Sequence, residues 1–121
     1  MKIIIDTNGF MVPIQFGVDI FEELYRLGFN EFCVPQAVIF EIERLMRREK
    51  GSDRKAAKVA RSMVDKCERI DVIGPADDVI LRLAKNMGAA VLTNDRQLKR
   101  RLVDNGIKTV SLRQKNKLDI A

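Results

Sequence analysis

The chain has 121 residues, 46% of them hydrophobic, two Cys and a net charge of +5, which suits one domain over residues 1–121 with a core that needs no disulfide staples. It contains no His, which excludes an imidazole general base, a His-ligated zinc, a Ser-His-Asp triad and two-imidazole phosphodiester chemistry; an enzyme built from it works with carboxylates, Lys, Tyr or a metal. The excess of 22 Lys and Arg over 17 Asp and Glu points to a polyanionic partner such as nucleic acid.

Met1 to Asp6 form an apolar run ending in an acid, the pattern of a buried parallel strand. Residues 18–27 place Val18, Phe21, Leu24 and Tyr25 at helical spacing. A second strand is predicted at 32–34, ended by Pro35, followed by a helix over 36–48. Lys50-Gly51-Ser52-Asp53 reads as a turn with a side-chain N-cap opening a basic helix over 53–67. A third strand is expected at 70–73, closed by Gly74-Pro75, and an amphipathic helix at 76–87 carries Val79, Ile80, Leu83, Ala84 and Met87 on one face. Residues 89–93 give a fourth strand, 95–105 another helix and 109–112 a last strand. Strands alternating with helices predict an α/β class fold, a three-layer α/β/α sandwich around a mostly parallel sheet, with ligands beyond the carboxyl ends of the strands.

No apolar run approaches the roughly 18 residues of a membrane span. The opening MKIIID lacks a signal-peptide core, and Cys33 and Cys67 lack metal-ligand spacing and read as reduced thiols. A cytoplasmic protein without a membrane partner is expected.

Asp6 and Asp95 follow predicted strands and so fall at the carboxyl edge. On the helix over 36–48, Val38, Ile42 and Leu45 define the inward face. Glu41 borders that face, while Glu43 is turned about 140° from Val38 and is expected to be solvated. By the same reasoning Asp77 borders the apolar face of its helix and Asp78 does not. Each acid has a plainer role available: Asp95 as a helix cap, Asp77 as a favourable charge in a first turn, Glu41 as a surface glutamate. Together they are harder to dismiss. Two unit charges 4 Å apart repel by roughly 4 kcal/mol at an effective dielectric near 20. A hard cation such as Mg²⁺ or Mn²⁺ relieves this with all-oxygen ligands, and activates water at a phosphate without any His.

The segments IIIDTN at 3–8, VPQAVIFEIERL at 34–45, ADDVILRLA at 76–84 and VLTNDRQL at 91–98 resemble the PIN domain family in order and spacing. The resemblance implies a metal-dependent ribonuclease with Mg²⁺ or Mn²⁺ at Asp6, Glu41, Asp77 and Asp95. Thr93 and Asn94 match the family's small polar helpers near the site, Asn8 less closely, and Thr93 or Asn94 is expected to orient the water or a phosphate oxygen. Gly9 stands where relatives often carry an apolar residue, which puts little in doubt. VPIQFGVDIF at 12–21 and GIKTVSLRQKNKL at 106–118 are similar to archaeal PIN proteins related to small-subunit ribosomal RNA processing nucleases. This implies an RNA partner, a ribosomal RNA precursor, and agrees with a homodimer. PIN toxins share the same acids and length, and would add an antitoxin partner.

Positive charge is clustered, with eight Lys or Arg from Arg44 to Arg61 and eight from Arg96 to Lys117. Arg54, Lys55 and Lys58 in the first stretch, and Arg96, Lys99, Arg100 and Arg101 in the second, are candidates for phosphate contacts, against the plainer reading of solvated helix faces. Aromatics are few, and no base-stacking platform is visible, so backbone-directed binding is expected. A phosphoacceptor receiver domain is disfavoured because IDVIGP puts no Asp at the end of the third strand, and a haloacid-dehalogenase-type phosphatase because DTN is not D-x-D. An RNA-binding assembly factor that cleaves nothing alone is the non-enzymatic alternative.

Overall fold

The computed structural model describes residues 1–114 and 116–120. Lys115, counted above in the second basic stretch and in the segment 106–118, and Ala121, the end of the expected domain, lie outside the described residues.

The elements run β1 (Lys2–Ile5), α1 (Thr7–Gln15), α2 (Ile20–Arg26), β2 (Glu31–Pro35), α3 (Gln36–Arg48), α4 (Gly51–Val64), β3 (Glu68–Ile70), α5 (Ala76–Met87), β4 (Ala90–Leu92), α6 (Arg96–Asp104), β5 (Thr109–Arg113) and β6 (Lys117–Ile120). They form a three-layer α/β/α sandwich. The sheet order is β3-β2-β1-β4-β5-β6, parallel except for the antiparallel β5–β6 pair. Right-handed crossovers put α1 to α4 on one face and α5 and α6 on the other. Ile3, Ile4 and Ile5 are fully buried, as a central parallel strand covered on both faces requires. No helix is long and apolar enough to cross a membrane among the described residues.

Several boundaries depart from the sequence expectations. Helix α1 was not foreseen, because Gly9 and Pro13 resemble breakers; it forms because Asp6 caps it and Phe10 and Met11 are buried beneath it. Helix α4 starts at Gly51 after Lys50 and has no side-chain cap, so the expected Ser52–Asp53 cap is not the one used. Strand β3 occupies 68–70 rather than 70–73, with Cys33 opposite Glu68. Strand β6 was also missed: four residues with Leu118 buried, returning beside β5.

The outer edge of β6 is closed by a helix. Glu23 Oε1 accepts from Leu118 N at 3.0 Å, and Arg26 donates to Leu118 O at 2.7 Å, while Glu23 and Arg26 pair with each other at 3.1 Å. One ion pair on α2 thus satisfies both outward backbone groups of Leu118.

Chain topology also fixes where the α3–α4 hairpin points. α3 leaves the carboxyl end of β2, and α4 hands the chain to β3, parallel to β2, after only three residues. Glu43 on α3 pairs with Arg61 on α4 at 3.1 Å, so the helices run antiparallel and their connection lies away from β3.

Candidate active site

Connections from β1 lead toward β2 and β3, and those from β4 toward β5 and β6, so the chain diverges between β1 and β4. In open α/β sheets this divergence leaves a crevice at the carboxyl edge. Asp6 follows β1, and Thr93-Asn94-Asp95 follow β4. Asp6 N donates to Leu92 O and Thr93 N to Val110 O, each at 3.0 Å, extending the ladder past the strand ends.

Asp6 is 4% exposed and Thr93 fully buried. Thr7 N donates to Asp6 Oδ1 at 2.8 Å, and the Thr93 hydroxyl lies 2.9 Å from Asp6 Oδ2 and 3.0 Å from Asn8 Oδ1. One hydroxyl proton serves one of these two acceptors at a time. Asp95 N donates to Thr93 Oγ1 at 3.1 Å, Asn94 N to Asn8 Oδ1 at 2.9 Å, and Leu112 N to Asn94 Oδ1 at 2.9 Å. The small polar residues therefore hold Asp6 and lock the turns after β1 and β4 to β5. Thr93 and Asn94 position the carboxylate; the buried Thr93 hydroxyl is engaged within the protein. Asn94 Nδ2 and Thr7 Oγ1 are buried without a hydrogen-bond partner among the described residues.

Gly9 belongs to this construction. A Cβ there would stand 2.4 Å from Leu92 O, the carbonyl that accepts Asp6 N. Only glycine lets α1 begin this close to β4.

Burial pushes the Asp6 carboxyl up from 3.8 to about 6; the Thr93 and Thr7 hydrogen bonds oppose the rise, and the nearby Glu41 and Asp77 charges add to it. Asp77 is also raised, first by burial and then by Asp95, with Arg101 acting against it. Asp6 therefore feels the charges of Glu41 and Asp77, and Asp77 that of Asp95. Asp95 is also the cap of α6, Oδ1 accepting from Gln97 N at 2.8 Å and Leu98 N at 3.0 Å, so its plainer reading holds as well. Among the described residues no three of His, Cys, Asp or Glu come close enough together to hold a metal ion. The donor chemistry nevertheless fits a hard cation: the set is all carboxylate, and Asp6 is a buried acid lacking a compensating positive charge.

Glu43 is not simply solvated as expected; it is half-buried in its ion pair with Arg61, facing α4. Asp78 is exposed and binds Arg101 at 2.8 Å. Of the predicted basic residues, Arg54, Lys55 and Lys58 are exposed on α4, with Lys55 and Lys58 opposite its buried Ala56, Ala57, Ala60 and Val64. On α6, Arg96 and Arg100 point outward, Lys99 donates to Ser111 Oγ at 3.2 Å, and Arg101 is tied to Asp78. Arg44 and Arg48, counted in the first basic stretch but not singled out for phosphate contact, lie on the Glu41 side of α3 at three and seven residues' spacing.

Residues 3–115 match the family model described as a PIN like domain. Ribonuclease VapC4 of Methanocaldococcus jannaschii is 30% identical over 125 residues, covering 98% of this chain and 95% of the relative. Ribonuclease VapC9 of Archaeoglobus fulgidus is 28% identical over 104 residues, covering 86% of this chain and 77% of that protein. The solved structure of the PIN domain endonuclease Utp24 is similar at a TM-score of 0.81 and 26% identity, over 98% of this chain and 90% of the other.

Proposed function

The chain belongs to the PIN-like domain family, and on that premise we propose that it is a metal-dependent endoribonuclease that hydrolyses RNA phosphodiester bonds in the cytoplasm, in ribosomal RNA processing. The observation that carries the reading is the buried Asp6 at the β1/β4 divergence, raised to about 6 and neighboured by Glu41 and Asp77. Similarity to two ribonucleases and to an endonuclease supports the same chemistry.

Asp6, Glu41, Asp77 and Asp95 are the residues that would hold Mg²⁺ or Mn²⁺. Such an ion supplies activation of water and neutralises charge on the scissile phosphate. The chain's own contribution is placement. Thr7 N and the Thr93 hydroxyl fix both oxygens of Asp6, and Asn8 and Asn94 keep Thr93 in register. Arg96 and Arg100, beginning one residue beyond Asp95, offer charge to the RNA backbone, with Lys99 and Arg101 beside them and Arg54, Lys55 and Lys58 on α4. Products carry 5′-phosphate and 3′-hydroxyl ends.

Similarity to the VapC ribonucleases favours a second reading, the toxin of a toxin–antitoxin pair with the same chemistry. Growth arrest on expression, relieved by the product of an adjacent gene, would select it over processing.

Purified protein is incubated with structured and single-stranded RNA in Mn²⁺, Mg²⁺ or EDTA, beside Asp6→Asn. Cutting that needs the metal and disappears in Asp6→Asn is the expected result. Binding without cutting under any metal would replace the enzyme with a non-cleaving assembly factor. Ends bearing 2′,3′-cyclic phosphate would exclude the water-activated route.

A further inference from the structure

We infer that the outer stripe of α3, formed by Phe40, Arg44 and Arg47, docks an unpaired RNA strand beside the cleavage site. The phenyl ring stacks on a nucleobase and the two guanidinium groups hold phosphates. The inference rests on the ribonuclease reading and specifies the form of RNA the site takes.

Phe40 is 49% exposed and immediately precedes Glu41 on α3. At 100° per residue, Arg44 and Arg47 lie within about 40° and 20° of Phe40 around the helix, and about 6 and 10 Å further along it. Both are exposed, and no ion pair among the described residues engages either one. No ring or cation among the described residues covers the Phe40 ring, since the ring contacts join Phe21, Tyr25 and Phe32, and Lys66 stands over Phe21. A second apolar group sits nearby: Ala37 N donates to Val72 O at 3.1 Å, which brings Ile73, 65% exposed, beside the first turn of α3.

A single exposed Phe is ordinary on a protein surface. Here it shares a stripe with two uncommitted arginines and adjoins a candidate site acid, on the side of the sheet where cleavage is proposed. Two other rings are exposed to a similar degree: Tyr25 packs edge-on against Phe32 at 5.2 Å and lines a mainly acidic pocket with Asp19, Glu31, Glu68 and Lys66, and Phe16 borders Asp19, Glu22 and Glu23, whose charges repel phosphate. Duplex bases have their faces covered by neighbours, so a lone phenyl can stack only on an unpaired or splayed base. The aromatic platform that composition concealed is thus a single residue placed by helix geometry.

The test is fluorescence anisotropy with the full chain in EDTA, using a labelled unpaired oligoribonucleotide and a blunt RNA duplex. Phe40→Ala is expected to weaken binding of the unpaired strand about ten-fold and leave duplex affinity unchanged, while Phe40→Trp retains it. Replacing both Arg44 and Arg47 by Ala is expected to flatten the dependence of log affinity on log salt by roughly 1.4. Equal affinity of Phe40→Ala and the parent for the unpaired strand overturns the inference, as does a loss shared equally by the duplex. A shift from dimer to monomer in sedimentation, with RNA affinity intact, would make the stripe a contact between copies and overturn it as well. If the parent binds and cuts RNA, those results leave the nuclease reading standing. If it neither binds nor cuts, the nuclease reading falls and this inference with it.

Discussion

At the amino edge of the sheet, α5 stops at Gly88 in the left-handed conformation, φ 64°, with Ala89 N donating to Ala84 O at 3.1 Å. This edge borders a cavity of about 480 Å³ lined in part by Lys2, Lys85 and Lys108. At the carboxyl edge, β1 and β4 end on Asp6 and Thr93, with their turns tied together by side chains up to 87 residues apart in sequence. The amino edge ends helix α5 by a local rule, one glycine and two backbone bonds. The carboxyl edge uses a buried polar network, and that network holds a carboxyl whose burial raises its pKa to about 6. The difference teaches where stability was given up: a buried carboxylate without a compensating charge is destabilising.

Replacing Asp6 by Asn is the strongest way to break this contrast. On the proposed reading, in which Asp6 would hold the metal, cleavage should fall by about a thousand-fold or more. The amide keeps the geometry: its oxygen accepts from Thr7 N, its NH₂ donates to Thr93 Oγ1, and the Thr93 proton turns to Asn8. Stability at neutral pH without metal should therefore rise, by about 3 kcal/mol at most for a carboxyl moved from 3.8 to about 6. Thermal denaturation in EDTA reads this; an unchanged or lower Tm would mean the buried charge is not a cost.

The same shift fixes the pH dependence. Asp6 titrates at 3.8 unfolded and at about 6 folded, so the native state binds more proton between these values. Its contribution is fully present below the unfolded value and is lost as pH rises through about 6. The Tm difference between Asp6→Asn and the parent in EDTA should widen over that window and then level off. Mn²⁺ should narrow it by stabilising the parent.

A steric route disturbs the same edge. In Gly9→Ala the added methyl meets Leu92 O at 2.4 Å, and α1 must retreat from β4 at a cost of about 1–3 kcal/mol, taking Asp6 away from Thr93. Chemical denaturation should show the loss, with cleavage reduced beyond what the unfolded fraction explains. Thr93→Val removes the hydroxyl that lowers Asp6, so the acid limb of the pH–rate profile should move upward, with a stability cost of about 1–2 kcal/mol. The smallest effect belongs to the amino edge. Gly88→Ala meets no atom within 4 Å and is opposed only by its φ of +64°, about 1 kcal/mol, and cleavage by the folded protein should be unaffected.

The sequence was most informative where periodicity was undisturbed. Helices α3 and α5 begin and end where the apolar spacing places them, and the same spacing put Glu41 and Asp77 on the flanks bordering the core. It failed where tertiary packing overrides local preference. Helix α1 survives Gly9 and Pro13 because its cap and buried face outweigh them, and the short β6 exists through pairing with β5. Reading Glu43 as solvated failed because Arg61 is 18 residues away and only the α3–α4 hairpin brings it near. The tie from Thr93 through Asn8 and Asn94 to Leu112 follows from strand order, which no local pattern states.

The Glu23–Arg26 clasp on Leu118 bears on how this protein coexists with copies of itself. A bare outer strand is a template on which another chain can add by backbone pairing, the first step toward fibrils or swapped domains. Here the outward donor and acceptor of Leu118 are already taken by side chains too short and too charged to propagate a ladder. Pairing through Leu118 of that edge is closed off without a proline or a bulge.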